Sequence, residues 1–237
     1  MKRSHVLLFS AVAAAAVILS SCGRNCIEGN GVAATDKREL DEFTEVDLSG
    51  DYKVIFRQDP IQSVTIDADA NLMPQIKTEV SNGRLRVYSD TDICDKITIA
   101  INVKELTEID ASGALELEMT NRFSTDEFGL EVSGALEARL DIEAREIHTQ
   151  LSGAGEIVYR GKANSHQVDI SGAGKLDAKG LTVNSCDIDV SGAAECFVHV
   201  LRQLNVKASG ASSIVYSGNP GEVSQNISGA TSVRPAE

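Results

Sequence analysis

Tryptophan is absent from this chain, and Phe and Tyr together supply only ten of its 237 residues. The surface therefore lacks the aromatic platforms on which sugars and single-stranded nucleic acids usually stack. Positive charge is scarce too, with 22 Lys and Arg against 35 Asp and Glu. No basic patch stands out along the chain, so nucleic acid is excluded as a partner. The longest apolar run, Val6 to Leu19, has 14 residues and falls short of the roughly 20 that a membrane-spanning helix needs. No HExxH, paired CxxC, Walker or GxSxG motif occurs, which removes the zinc, nucleotide and serine-hydrolase chemistries those motifs carry. The second half of the chain keeps no 3.6-residue period for long, so it is not built from amphipathic helices.

What is present instead is a repeat. Ser-Gly-Ala starts at Ser112, Ser133, Ser152, Ser171, Ser191, Ser209 and Ser228, in steps of 21, 19, 19, 20, 18 and 19 residues. A period this steady marks a solenoid, in which each repeat forms one coil stacked on the next. Such a chain offers an extended surface rather than a single pocket.

The flanks of the tripeptide alternate. One residue before each Ser stand Ala111, Val132, Leu151, Ile170, Val190, Ala208 and Ile227; five after stand Leu117, Ala138, Ile157, Leu176, Cys196, Ile214 and Val233. Offsets −5, −3 and +7 are also mostly apolar. Between them lie polar positions, such as Asp110, Glu131, Gln150, Asp169 and Asp189 at offset −2. Period-two alternation on both sides of a small-residue corner reads as strand, turn, strand, with Gly supplying backbone angles closed to other residues. A lone repeat buries too little to offset the entropy of ordering it, so it is stable only in a stack. Parallel stacking also places equivalent residues one above another about 4.8 Å apart, which explains why the offsets match in columns. The residues thus specify an all-β fold: a parallel β-helix of about 19 residues per coil, with a sandwich of tandem hairpins as the alternative.

The ends differ from the repeat. Lys2 and Arg3 precede the 14-residue apolar run, which closes on Leu19-Ser20-Ser21-Cys22. That is the pattern of a bacterial lipoprotein signal over residues 1–21, with Cys22 as the lipidated mature N-terminus. Its removal leaves 20 Lys and Arg against 35 Asp and Glu, a net charge of −15. Residues 22–35 read as a tether, and 36–237 as the β-helix domain. Within it, 107–237 hold the repeat coils, and 36–106 are β-rich, degenerate coils that cap the stack. Ser49-Gly50 lies 63 residues before Ser112, near three periods. Asn71 to Gln75 suits one helical turn, and Val80 to Leu85 a tight hairpin on Asn82-Gly83.

Chemistry-bearing residues are few. His148, His166 and His199 share no column, and His166 falls in an apolar column, as a satisfied core-edge histidine would. The corner serines have no repeated base beside them, and turn geometry accounts for them. Glu116, Glu137 and Glu156 stack at one offset and are the calcium candidates; the alternative is a charged, solvated face. No other cofactor is indicated. Cys186 and Cys196, five residues either side of Ser191 at inward offsets, are the candidate disulfide, if the corner folds its two flanks close together. The alternative is two buried thiols that simply pack. Cys26 and Cys94 complete an even count.

The lipoprotein signal, Phe43-x-x-Val46, Asn71-Leu72-x-Pro74, Asn82-Gly83-x-Leu85-x-Val87 and the train of Ser-Gly-Ala corners resemble the auto-transporter adhesin "head GIN domain" family over about residues 36–237. The resemblance implies a right-handed parallel β-helix, secreted or lipid-anchored, of a kind common in Bacteroidetes. It carries over no catalytic residue. The expected function is a non-enzymatic, lipid-anchored envelope protein acting in adhesion or interaction. Its expected place is the outer membrane of a Gram-negative cell, periplasmic or surface-exposed. Partners would be the membrane, through the lipid, and a surface glycan or protein ligand. The alternatives are a carbohydrate-active β-helix enzyme of lyase or hydrolase type, and a periplasmic structural lipoprotein.

Overall fold

The corner glycines form one column. In the computed structural model, which describes residues 26–236, Gly50, Gly113, Gly134, Gly153, Gly172, Gly192, Gly210 and Gly229 stand one on the next. A Cβ added at any of the last seven would lie 2.2–2.5 Å from the carbonyl oxygen of the glycine before it. All seven have φ between +88° and +155°, backbone that L side chains rarely adopt. Both constraints demand glycine, and together they explain why the tripeptide returns in every copy. The signal segment 1–21, Cys22 and the first residues of the expected tether lie outside the described residues.

Twelve strands join in one sheet. They are β1 (Ala33–Arg38), β2 (Glu45–Gln58), β3 (Ser63–Asp69), β4 (Ile76–Ser81), β5 (Arg84–Ser89) and β6 (Ile97–Val103), then β7 (Glu108–Met119), β8 (Phe123–Ser124), β9 (Glu127–Gly210), β10 (Ser213–Ser217), β11 (Glu222–Gly229) and β12 (Ser232–Pro235). The described residues contain no α-helix; the turn expected at 71–75 is a 3-10 turn, Met73–Gln75, with Pro74 fixing its start. Copies pair in parallel, with Ser112-Gly113 opposite Ser133-Gly134 and Ser209-Gly210 opposite Ser228-Gly229. The inward offsets fill a continuous core from Phe43 to Ile214. Asp187 and Asp189 are exposed while Ile188 and Val190 are buried. The alternation read from the sequence is the alternation of burial.

The N-terminal part is more varied than a set of degenerate coils. β2 stands in parallel register with β7, Ser49-Gly50 opposite Ser112-Gly113. Its other edge pairs in parallel with β5 and β6, which come later in the chain. In space, therefore, β2 sits between β5/β6 and β7. β4 returns antiparallel on β5 through Asn82-Gly83, both at positive φ, the two-residue hairpin that Asn-Gly favours. β3 runs antiparallel to β6, and β1 antiparallel to β3. Antiparallel strands thus cover this end of the parallel stack.

Residues 26–35 are fastened rather than free. Cys26 is disulfide-bonded to Cys94, with Cα atoms 5.2 Å apart. Ile27 bridges to Ile93, and the backbone of Gly29, Asn30 and Gly31 donates to Asp95, Asn71 and Asp69. The physical reason is the reach of β1, which must pair with β3 and so draws the preceding residues along the same edge. The disulfide closes a loop across a sequence separation of 68, worth about 4 kcal/mol in the chain-entropy account. Cys94→Ser is therefore expected to lower the urea midpoint by a corresponding amount and to open residues 26–32 to proteolysis. An unchanged midpoint would mean that the backbone bonds of this segment suffice without it.

Candidate functional site

Outward side chains lie in columns, because each alternates with a core position and each copy stacks in register on the last. The column offered to calcium is a column of ion pairs. Glu116 takes Lys53 and Lys96 at 2.9 and 2.8 Å, and hydrogen bonds from Lys96 and then Lys53 hold its carboxyl down to about 2. Glu137 faces Arg139 at 2.5 Å and Glu156 faces Lys175 at 2.8 Å. Calcium takes six to eight oxygen ligands, and here each carboxylate already meets a cation. Millimolar Ca²⁺ is expected to leave the Tm of chelator-treated protein unchanged. A rise that disappears in Glu137→Gln would show that the ion displaces these partners.

A second acidic group was not legible as one. Glu108, Asp110 and Glu131 bring their carboxylates within 4.8 Å of one another on β7 and β9. Arg84, from β5, lies in the same group, 2.8 Å from Glu45 and 2.9 Å from Glu108 and also bonded to Asp110. Nothing in the spacing pointed to Arg84, since its rung is joined through β2. Beside this group Gly129 stands where neighbouring copies carry Glu108, His148 and Gln167. The missing side chain leaves a groove of about 500 Å³ lined by Glu108, Glu131, His148 and Asp169.

Inside the stack, Thr149, Tyr159 and His166 form a buried polar set. Thr149 Oγ1 is hydrogen-bonded to Tyr159 OH at 2.9 Å and to His166 Nε2 at 3.0 Å, and the two rings meet edge to face. His166 is 1% exposed, so it is the satisfied histidine its column suggested. Burial, with a smaller contribution from nearby His148, lowers its pKa from 6.5 to about 3. Between these values the unfolded chain binds a proton that the folded chain does not. This stability is complete above pH 6.5 and drains away as pH falls towards 3, by roughly 3–5 kcal/mol in all. His166→Phe is expected to flatten the loss of urea stability between pH 6.5 and 5. Glu116 adds its own loss only below its ordinary 4.5, so the windows separate. An unflattened profile would locate the acid sensitivity elsewhere.

Cys186 and Cys196 are not bonded. Both are free and buried, and burial pushes the Cys196 thiol up to about 12 and the Cys186 thiol further in the same direction. A disulfide needs Cα atoms within about 7 Å, whereas packed sheet faces usually stand about 10 Å apart. The corner does not bring its two flanks into bonding geometry, and the thiols serve as small core side chains. The corner serines are likewise structural where they bond: Ser112 Oγ donates to the Leu48 carbonyl at 3.2 Å.

No helix among the described residues is long and apolar enough to cross a membrane. Comparison with solved structures finds the same fold in several proteins. The crystal structure of a "putative adhesin" from Bacteroides fragilis superposes with a TM-score of 0.85 at 19% identity, covering 89% of this chain and all of its own. A "Putative lipid binding protein" from Parabacteroides distasonis gives 0.72 at 20%, covering 89% and 99%. A further "putative adhesin" from the same organism gives 0.67 at 22%, covering 90% and 100%. No curated protein matches the chain. Residues 42–220 match the family described as "Putative auto-transporter adhesin, head GIN domain", and the chain belongs to that family.

Proposed function

We propose that this protein is a lipid-anchored, non-enzymatic component of the cell envelope that works by adhesion or interaction through its outer faces. The family match over residues 42–220 carries the reading, and the names of the structural neighbours, adhesins and a lipid-binding protein, support a binding role. The scaffold is a right-handed parallel β-helix of about 19 residues per coil. Parallel registers offset by 18, 19 and 21 residues support that path, as does the single column of eight glycines. Parallel crossovers are right-handed in nearly all proteins. Cys22 is the lipid anchor in the outer membrane, and a surface glycan or protein is the external ligand.

Protease treatment of intact cells tests the reading, since adhesion requires exposure. The protein should be degraded on whole cells, and Cys22→Ala should move it from the membrane to the soluble fraction. Full protection of the anchored protein would overturn the adhesive role. Incubation with acidic polysaccharides should release no unsaturated or reducing ends. Release that is lost in Glu137→Gln or Asp169→Asn would overturn the non-enzymatic role.

A further inference from the structure

The glycine column ends at Gly50, and what lies beyond it is a side chain and a cavity. A Cβ on Gly50 would meet no carbonyl of a preceding corner but the ring and hydroxyl of Tyr52, 2.5–2.8 Å away. The next rung is β5/β6, and it has no corner there. β2 spends two residues, Gly50 and Asp51, between the positions that pair with Tyr88 and Ile97, whereas the neighbouring rung spends eight, Ser89 to Lys96. This longer connection swings away and is fixed by the Cys26–Cys94 disulfide and by the backbone bonds of Ile27 to Asp92 and Cys94. The space vacated is a cavity of about 490 Å³. Its lining includes Ser49, Asp51, Tyr52, Asp92, Ile93 and Ser112, with the disulfide in its wall.

Two features give the cavity a chemical preference. Tyr52 is 2% exposed, and its hydroxyl is buried with no hydrogen-bond partner. Buried polar groups are seldom left so, because the lost hydration is uncompensated. Asp51 and Asp92, both exposed, line the same space, and neither forms an ion pair among the described residues. No Lys, Arg or His lines it. Residues 26–156, which include the whole site, hold 28 Asp and Glu against 12 Lys and Arg, whereas 157–237 hold seven of each. The field at this end therefore favours a cation. A bare metal ion fits poorly, since two carboxylates and a neutral phenol fall short of the oxygen set calcium takes and the space is far larger than an ion. An ammonium group has three donors and no acceptor, which answers two carboxylates and a hydroxyl.

We propose that this cavity binds a primary ammonium group on a short apolar stem, with Asp51 and Asp92 pairing its charge and Tyr52 accepting one of its hydrogen bonds. The group comes from a lysine side chain of a partner or from a free small amine. The assignment rests on the interaction reading above, and the two fail separately. The titration below reads the site in isolated protein, whereas protease treatment of cells reads display.

The test is a calorimetric and ¹H–¹⁵N NMR titration of the full-length, disulfide-bonded protein. The probes are Nα-acetyl-lysine methylamide, its norleucine counterpart, and butylamine. The lysine probe should bind, shifting the amides of residues 49–52 and 89–94, and should weaken as salt is raised. Asp51→Asn and Asp92→Asn should each weaken it at least about tenfold, and Tyr52→Phe about threefold to tenfold. Butylamine equal to the lysine probe assigns the site to small amines; a clear preference for the peptide probe assigns it to lysine. Norleucine binding as well as lysine would overturn the proposal, as would Asp92→Asn without effect. Tyr52→Phe also checks the premise without any ligand. Its Tm should hold or rise, because the hydroxyl has no partner to lose, and a fall of several degrees would remove the basis of the site.

Discussion

Gly172→Ala destabilises the protein by at least about 3 kcal/mol in urea unfolding, although it adds a single methyl group. The new Cβ would lie 2.2 Å from the Gly153 carbonyl oxygen and 3.0 Å from its amide nitrogen. Both are backbone atoms of the adjacent rung, so relief means opening the stack rather than turning a side chain. The backbone at Gly172, with φ +149°, is also strained for an L residue, at roughly 1–3 kcal/mol before any clash is added. Ala173→Ser, at the exposed neighbouring position of the same corner, should change stability by less than about 0.5 kcal/mol. A Gly172→Ala protein within 1 kcal/mol of wild type, on the order of a helix-interior Gly/Ala difference, would mean that the corners do not bear on one another.

Val190→Asp should unfold the protein at room temperature. Val190 is fully buried at the inward position just before a corner, and its column neighbours Ile170 and Ala208 are buried and apolar, so they offer a carboxylate no partner. Burying it unpaired costs several kcal/mol, a large part of the stability of most domains. Asp189→Ala, one residue away on the exposed side, should shift stability by under about 0.5 kcal/mol. Circular dichroism of the two variants separates the cases, and equal behaviour would sink the assignment of inward and outward faces.

These two predictions rest on features legible in the amino-acid order. The corner glycines, the alternation around them and the Asn82-Gly83 hairpin follow from steric rules that act within a few residues, so they are written at each position. The same rules placed His166 in the core, because its neighbours in the column are apolar. Outward columns were legible as columns but not as ion pairs. Glu116 meets Lys53, 63 residues away, and Lys96, 20 away, and no local pattern names either partner.

What the sequence by itself determined is the repeating unit: a strand, a glycine corner, a second strand, and the face each residue presents. Only the tertiary structure decided which rung lies on which. β2 pairs with β7 across 63 residues and with β5 and β6 on its other edge, so Arg84 reaches Glu108, Cys94 reaches Cys26, and Tyr52 lines the cavity left by an absent corner. The physical reason is that loop closure barely distinguishes these partners. Closing 63 residues rather than 19 costs about 1 kcal/mol more, far less than one well-packed rung contributes. Pairing is therefore settled by the fit of whole rungs to one another, a property of the assembled stack that no single segment carries.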